Sequence, residues 1–335
     1  MWHNSIELMI NVGEYLKEGK PDISDSTIQA YSVTLRKLHD RLHGTREFES
    51  LEWMKDSEAV MESLNKHCVS YLTRRNYLNS VIVMLLTREG FEPALEAYQG
   101  QRDKYNEQYT EMQQTKEPSA KQAANWVSVA EIEQLIGDYD NEVKDLRSQT
   151  DLTHKELAVF QDRFMLLFWL NYPMRNDLHT TRVIAKRAFN ALDQNDKDNK
   201  NYAIQGKQIV LSIGNYKTRK KYGVKRIDIE EKRVVKAMKQ WLAVSPNPEY
   251  ILVNTKDGSP MSSLHITQNL TRIFKKNFDK SVGSTLLRHI VLTEKFGKQL
   301  EDMEHMADIM AHDVSTAHKI YIKKVDGEDS DGSSS

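Results

Sequence analysis

Five side chains in the second half of the chain could together carry out phosphoryl transfer without a metal. In sequence order they are Arg175, Lys217, Arg288, His312 and Tyr321. A phosphodiester is anionic, and planar guanidinium groups can neutralise its non-bridging oxygens with a fixed geometry. A tyrosine hydroxyl can attack the phosphorus to form a covalent intermediate, and a lysine can protonate the leaving hydroxyl. The histidine can donate a hydrogen bond to a phosphate oxygen.

Each of these residues also has a simpler interpretation. Arg175 could form an ion pair with Asp177 that only stabilises the fold. Lys217 could be one of several solvated lysines at the tip of a hairpin. Exposed lysines are usually solvated in this way and bind nothing. The chemical interpretation therefore depends on the five residues occurring together and in this order.

The predicted elements around Arg175 and Lys217 suit that chemistry. A strongly apolar helix over 152–171 precedes Pro173, which prevents the helix from continuing and leaves Arg175 in a turn. Short β-branched runs over 202–205, 208–213 and 225–229 predict strands, and Lys217 is expected at the end of the second strand, where the chain enters the basic turn. Tyr250–Val253 reads as a further short buried strand.

Helices are predicted around the last three residues of the set. Gly283 and Ser284 precede the helix that carries Arg288, and His312 follows an apolar repeat. We expect the repeat to pack in the core as a helix; its members are Leu300, Met303, Met306, Ile309 and Met310.

The chain as a whole is predicted to be mainly α, of the α+β class. Residues 1–115 have helical periodicity throughout, polar sequence from Gln101 to Asn125 reads as a tether, and the linker is assigned to 116–127. Ser128 with Glu131 predicts the N-cap of the next helix. Residues 128–324 then form a mixed domain of helices around a small three-stranded antiparallel sheet. The acidic, polar tail over 325–335 is expected to be disordered.

Composition excludes several classes of protein. One cysteine, Cys68, permits no internal disulfide, and the Cys/His spacing of a zinc site is absent. No apolar run approaches the roughly 20 residues that a membrane-spanning helix needs. The formal charge is −1, so binding to nucleic acid would have to depend on local basic surfaces.

Two groups of basic residues could supply such surfaces. One group lies on helices of the first domain, and the other follows Lys217 in the hairpin connection. Both could also be solvated faces with no ligand. The candidate DNA-binding residues are Arg36, Lys37, Arg74, Arg75, Arg219, Lys220 and Lys221.

The five residues and their local contexts resemble the tyrosine recombinases, the phage-integrase family. Arg288 stands in Leu-Leu-Arg-His, Lys217 in Gly-x-x-Lys-Thr, and Tyr321 follows His312 by nine positions. The resemblance covers 128–324 as the catalytic domain and 1–115 as the helical core-binding domain that clamps DNA. It implies Arg175, Lys217, Arg288 and His312 as catalytic residues and Tyr321 as the nucleophile.

The resemblance also implies an activity and partners. The enzyme would cut and rejoin DNA strands through a 3′-phosphotyrosine, with no metal or other cofactor. It would act on double-stranded DNA as a homotetramer on paired sites, inside the cell, and the family is carried by viruses and mobile elements.

One departure from the family pattern bears on activity. The family has a histidine three residues before the second arginine, and here that position is Thr285, which cannot act as a base near neutral pH. Two alternatives therefore remain beside recombination. One is a type IB topoisomerase-like enzyme that relaxes DNA, and the other is a DNA-binding relative with weakened catalysis.

Overall fold

A computed structural model describes residues 10–316 of the chain. Tyr321 and the predicted acidic tail lie outside the described residues. The chain divides into two compact units, with the boundary between Glu117 and Pro118. The fold is mainly α with one small sheet, as the sequence predicts.

The first unit is helical. Ser24 caps the second helix by accepting a hydrogen bond from the Thr27 N–H at 3.3 Å. The predicted tether from Gln101 is wrong over most of its length, because Tyr98 and Tyr105 are buried and hold a long polar helix against the core. The helices are α1 (Val12–Gly19), α2 (Asp25–His43), α3 (Ser57–His67), α4 (Tyr71–Leu85) and α5 (Glu92–Gln114), with a 3-10 turn at Glu52–Lys55.

The second unit begins within the predicted linker. Residues 120–124 form a short helix, and Val127 is fully buried in the core of this unit. Ser128 and Glu131 form the predicted capping box at the start of the next helix. The first three helices of the unit are α6 (Ala120–Ala124), α7 (Val129–Leu146) and α8 (His154–Asn171).

Helix α8 is the centre of the second unit. Every residue from Val159 to Leu170 is buried, so this helix is enclosed on all sides. The remaining helices are α9 (Lys186–Ala191), α10 (Gln194–Asn199), α11 (Arg219–Tyr222), α12 (Lys232–Val244), α13 (Ser263–Phe278), α14 (Ser284–Ile309) and α15 (Val314–Thr316).

The sheet has four strands rather than the predicted three. Its order is β1-β2-β3-β4, and the strands are β1 (Arg182–Ala185), β2 (Asn201–Gln205), β3 (Ile209–Ile213) and β4 (Lys225–Ile229). The three predicted strands pair antiparallel, as expected, whereas the additional strand β1 pairs parallel with β2. The segment predicted as a strand at Tyr250–Val253 makes only isolated bridges, Arg182 with Tyr250 and Val253 with Pro260.

The predicted packing of the apolar repeat at the end of α14 is also wrong. The helix runs unbroken from Ser284 to Ile309, and its second half does not pack in the core as expected. Most of the apolar repeat is exposed because little of the unit covers this part of the helix; the exposed members are Leu300, Met306, Ile309 and Met310. Within residues 10–316 no helix combines the length and the apolar character that crossing a bilayer requires.

Candidate functional site

The turn that carries Arg175 is held from two sides. The Trp169 indole N–H of α8 donates to the Met174 carbonyl at 3.0 Å. The Asn176 side-chain amide donates to the Ser263 carbonyl at 2.8 Å and to the Thr267 hydroxyl at 2.6 Å, both on α13. Arg175 is itself exposed, so the backbone is fixed while the guanidinium faces solvent.

Asn201 connects this turn to the β3–β4 connection. It is 2% exposed, and its amide donates to the Asp177 carbonyl at 2.8 Å and to the Asn215 carbonyl at 3.0 Å. Its side-chain oxygen accepts from the Asn215 N–H at 2.7 Å. The only signal for Asn201 in the sequence is an asparagine at the start of a strand, where that residue is depleted.

The β3–β4 connection lies beside Arg175. The Arg175 Nη1 atom donates to the Thr218 hydroxyl at 3.4 Å, and Lys217 is the adjacent, exposed residue. Lys217 sits in a turn beyond the end of β3 rather than on the strand. Gly214 starts this connection, where a Cβ atom would lie 2.4 Å from the Asp198 carbonyl oxygen, so only glycine fits.

Arg288 lies in the second turn of α14 and contributes to the same site. Its Nη2 atom donates to the Thr285 hydroxyl at 3.2 Å, and its Nε atom to the Ser284 carbonyl at 3.4 Å. Thr285 therefore orients the guanidinium, a role that a hydroxyl can take without titrating. His289, the next residue, is exposed.

The charges of Arg175, Arg288 and Asp177 influence one another. Partial burial lowers the pKa of Arg288, and the like charge of Arg175 lowers it further, whereas Asp177 raises it. Burial raises the pKa of Asp177, and the nearby cations, Arg175 first among them, oppose that shift. Both guanidinium groups therefore lie near enough to the half-buried Asp177 carboxylate to act on it electrostatically, and the repulsion between them favours an additional anion at the site.

A cavity of about 340 Å³ adjoins Thr285. Lys121 and Gln122 of α6 line one side of it, and Thr267 and Gly283 line another. Helix α6, which lies in the predicted linker, therefore contributes the Lys121 ammonium and the Gln122 amide next to the arginine site. The sequence did not predict this contribution.

His312 is not brought to the two arginines. It follows the C-terminal end of α14, and Arg288 lies near the other end. At 1.5 Å rise per residue, the unbroken helix from Arg288 to Ile309 spans about 30 Å. His312 is exposed, and its backbone N–H donates to the Ala307 carbonyl at 2.9 Å. Tyr321 lies outside the described residues.

The basic candidates that follow Lys217 differ in their surroundings. Arg219 donates to the Asn199 side-chain oxygen at 2.9 Å and lies 3.9 Å from the Asp198 carboxylate. The Lys221 ammonium lies 5.2 Å from the centre of the Tyr222 ring, and Lys220 is exposed. Together they give the connection beside Arg175 a positive surface.

In the first unit only part of the candidate set faces solvent. Arg36 and Lys37 are exposed on α2. Arg74 donates through Nε to the Cys68 carbonyl at 2.8 Å, so it braces the start of α4. Arg75 lies 4.9 Å from the centre of the Tyr109 ring and so braces α4 against α5.

No group of three or more His, Cys, Asp or Glu side chains in residues 10–316 is arranged to hold a metal ion. Comparison with known proteins identifies no relative, because no family model, no curated protein and no solved structure matches the chain. The site is therefore interpreted from its own residues and from the family pattern that its sequence resembles.

Proposed function

We propose that the protein is a tyrosine-type DNA strand transferase of the recombinase or integrase class. The observation that carries the proposal is that Arg175, which donates to Thr218 of the basic β3–β4 connection, lies close enough to Arg288 for the two like charges to repel. A phosphodiester placed there would relieve the repulsion between the two guanidinium groups and accept their hydrogen bonds.

The proposed reaction exchanges one phosphate ester for another. The Tyr321 oxygen attacks the phosphorus, a bond forms between them, and the bond from phosphorus to the 5′ oxygen breaks. Lys217, next to Thr218 at the arginine site, protonates the departing 5′ oxygen. Attack by a 5′ hydroxyl then reverses these steps and releases Tyr321, so no external energy source is needed.

Because Thr285 stands at the position of the expected histidine, another group must accept the proton that Tyr321 loses when it attacks. A threonine hydroxyl does not accept a proton from tyrosine near neutral pH, and Thr285 is engaged with Arg288. In the proposal the Tyr321 proton passes to water, which predicts slow cleavage that accelerates as pH rises. The enzyme would work inside the cell on double-stranded DNA, as a homotetramer that holds two sites.

A second candidate function is DNA binding with weak or no strand cleavage. Two observations favour it, namely Thr285 at the position of the expected histidine and the distance of about 30 Å along α14 that separates His312 from Arg288. In that case the arginine pair would hold a backbone phosphate, with affinity that falls as salt concentration rises.

Covalent capture distinguishes these functions. The full chain is incubated with duplexes that carry a nick next to the scissile phosphate, and protein–DNA adducts are separated on denaturing gels. We expect an adduct with the unaltered chain and none with Tyr321→Phe, while both bind DNA equally. Tyr222→Phe is the matched control, since Tyr222 is an exposed tyrosine in the basic connection, and it should keep the adduct.

Three outcomes would redirect the proposal. Binding without an adduct on any duplex would favour the DNA-binding candidate. An adduct that persists in Tyr321→Phe would assign the nucleophile to another residue. Relaxation of supercoiled DNA by monomers without site preference would indicate a topoisomerase-like enzyme instead.

A further inference from the structure

A second cavity lies in the second unit, between α7, the first half of α8, and α13. Its volume is about 620 Å³, which falls in the range of roughly 300–1,000 Å³ typical of small-molecule sites. Arg175, Thr285 and Arg288 do not line it. This cavity therefore needs an explanation of its own.

The lining of this cavity is strongly cationic. Gln268, Arg272 and Lys276 follow one another at four-residue spacing, so they form one row along α13. Lys155 of α8 and Lys256 of the loop before α13 add two more cations to the lining. Asp162 is the only carboxylate among the lining residues.

Asp162 does not cancel this charge, because it is already paired. It is 3% exposed, and the Arg272 Nη2 atom lies 2.6 and 2.8 Å from its two oxygens. Arg272 also donates through Nε to the Asn269 side-chain oxygen at 2.9 Å. The pair fixes the arginine in one orientation and leaves the three lysines of the lining available to an anionic ligand.

The inner part of the cavity is apolar and contains one unused polar group. Val159 and Met261 are buried, and Tyr139, which is 3% exposed, lies beside them. The Tyr139 hydroxyl makes no hydrogen bond of normal geometry. Burial raises its pKa to about 12, and the nearby Asn277 side chain opposes only part of that shift. A buried hydroxyl in this state is costly unless a ligand or a water supplies a partner.

From these features we infer that the cavity binds a phosphorylated small molecule with a flat ring, of the nucleoside phosphate class. The ring lies against Val159, Met261 and Tyr139, whose hydroxyl bonds to a ring heteroatom, and the phosphates face Lys155 and Lys276. The inference does not depend on strand transfer, since it uses none of the residues of the arginine site.

Binding is tested by isothermal titration calorimetry on the full chain, with ATP as the probe. We expect a Kd below about 100 µM for ATP, and at least tenfold weaker binding for tripolyphosphate and for adenosine, since each lacks one half of the recognised ligand. Absence of heat with ATP up to about 1 mM would overturn the inference. So would equal affinity for ATP and tripolyphosphate.

Two variants locate the binding event. Lys155→Gln with Lys276→Gln removes two exposed cations and should weaken ATP binding about tenfold or more. Ala158→Phe fills the cavity without changing charge and should abolish binding. The matched control, Lys236→Gln with Lys239→Gln on α12, changes two exposed lysines outside the cavity and should have no effect.

A DNA phosphate is the competing occupant. If the Lys155 and Lys276 pair of substitutions weakened duplex binding while ATP produced no heat, the cavity would be a DNA contact and the inference would be wrong. Equal weakening of ATP binding in the control variant would also overturn it. The affinity for ATP would then depend on the net charge of the chain and not on this cavity.

Discussion

At the scale of single residues, Asn201 shows how a site can depend on a side chain that performs no chemistry. Its amide bonds to the backbone on both sides of the site, at Asp177 and at Asn215. Replacing it with an apolar residue would remove three part-buried hydrogen bonds, each worth about 0.5–1.5 kcal/mol. The alignment of Arg175 with the basic connection depends on these bonds.

The buried carboxylate of Asp162 illustrates a different effect. Burial raises the pKa of Asp162 to about 6, although Arg272 opposes the shift. Because the folded-state pKa is above the unfolded value of about 3.9, folding favours the protonated form. The stability that this group contributes is therefore greatest at low pH and is lost as pH rises through about 6.

We predict that Asp162→Asn removes this pH dependence. The free energy of unfolding of the unaltered chain minus that of the variant should fall by about 1 kcal/mol between pH 5 and pH 7. Urea unfolding of both proteins at the two pH values measures it. Asp138→Asn, at an exposed position on α7, controls for the loss of one negative charge. A difference that grew with pH would contradict the assignment.

The residues of the arginine site were only partly predictable. The apolar helix and Pro173 located the turn of Arg175, and the Leu-Leu-Arg-His sequence located Arg288 on a helix. Asn176 and Thr218 could not be found, because their partners lie far away in sequence and their residue types are common in any turn. His312 was expected beside the arginines from the order of the five residues and from the family resemblance, and a continuous α14 separates them.

At the scale of elements, strands with a clear β-branched pattern were predicted well, and β4 was predicted with its observed bounds. The strand β1 was missed because its four residues, Arg182–Ala185, are too short to show alternation and lead directly into a helix. Its strand conformation is stabilised by parallel pairing with β2, and local sequence does not predict such a tertiary contact.

Helix α14 was mispredicted for a related reason. The apolar repeat beyond Gln299 was taken as a sign of burial, since helical periodicity normally marks a core face. Periodicity indicates which side of a helix is apolar and does not indicate whether anything covers it. In the described structure Leu292 and Phe296 are exposed as well, so the exposed apolar residues begin before the middle of α14 and continue to its end.

We predict that Gly297→Ala raises thermal stability and slows adduct formation. Gly297 lies inside α14, where an added Cβ atom would meet only the Thr293 methyl group at 3.6 Å. The substitution should stabilise the helix by about 0.5–1 kcal/mol. If His312 reaches the arginine site by bending of α14, a stiffer helix would oppose that step. Thermal melts and adduct yield measure the two effects.

Gly137→Ala is the control for that experiment. Gly137 lies in α7, and an added Cβ atom would meet nothing within 4 Å. This variant should gain comparable stability and keep the adduct yield of the unaltered chain. Equal yields from both variants would show that strand transfer requires no bend at Gly297.

At the scale of the whole molecule, the described residues form two large hydrophobic cores and a small cluster of Phe189, Tyr202 and Ile204. One core contains residues between Val12 and Tyr105, and the other contains residues between Val127 and Val291. Each core is built from elements that follow one another in sequence, namely helices in the first unit and helices with strands β2, β3 and β4 in the second. Each unit therefore has the internal packing that independent folding requires.

We predict that 1–117 and 118–335 fold as separate proteins. Each fragment should show a cooperative thermal transition by circular dichroism, because the cut removes no residue from either core. A cut after Thr150 is the control, since it separates α7 from α8 within one core, and its fragments should lack the transition of the second unit. A 118–335 fragment that melted without cooperativity would contradict independent folding.

The length of α14 can also be expressed on the scale of a DNA duplex. Base pairs are stacked 3.4 Å apart, so the span of about 30 Å from Arg288 to the end of the helix equals about nine base pairs. While the helix remains whole, Arg288 and His312 of one chain would face phosphates almost a full turn of the duplex apart. If the chain binds DNA as proposed, a straight α14 aligned with the duplex would set the spacing between the two positions that Arg288 and His312 contact.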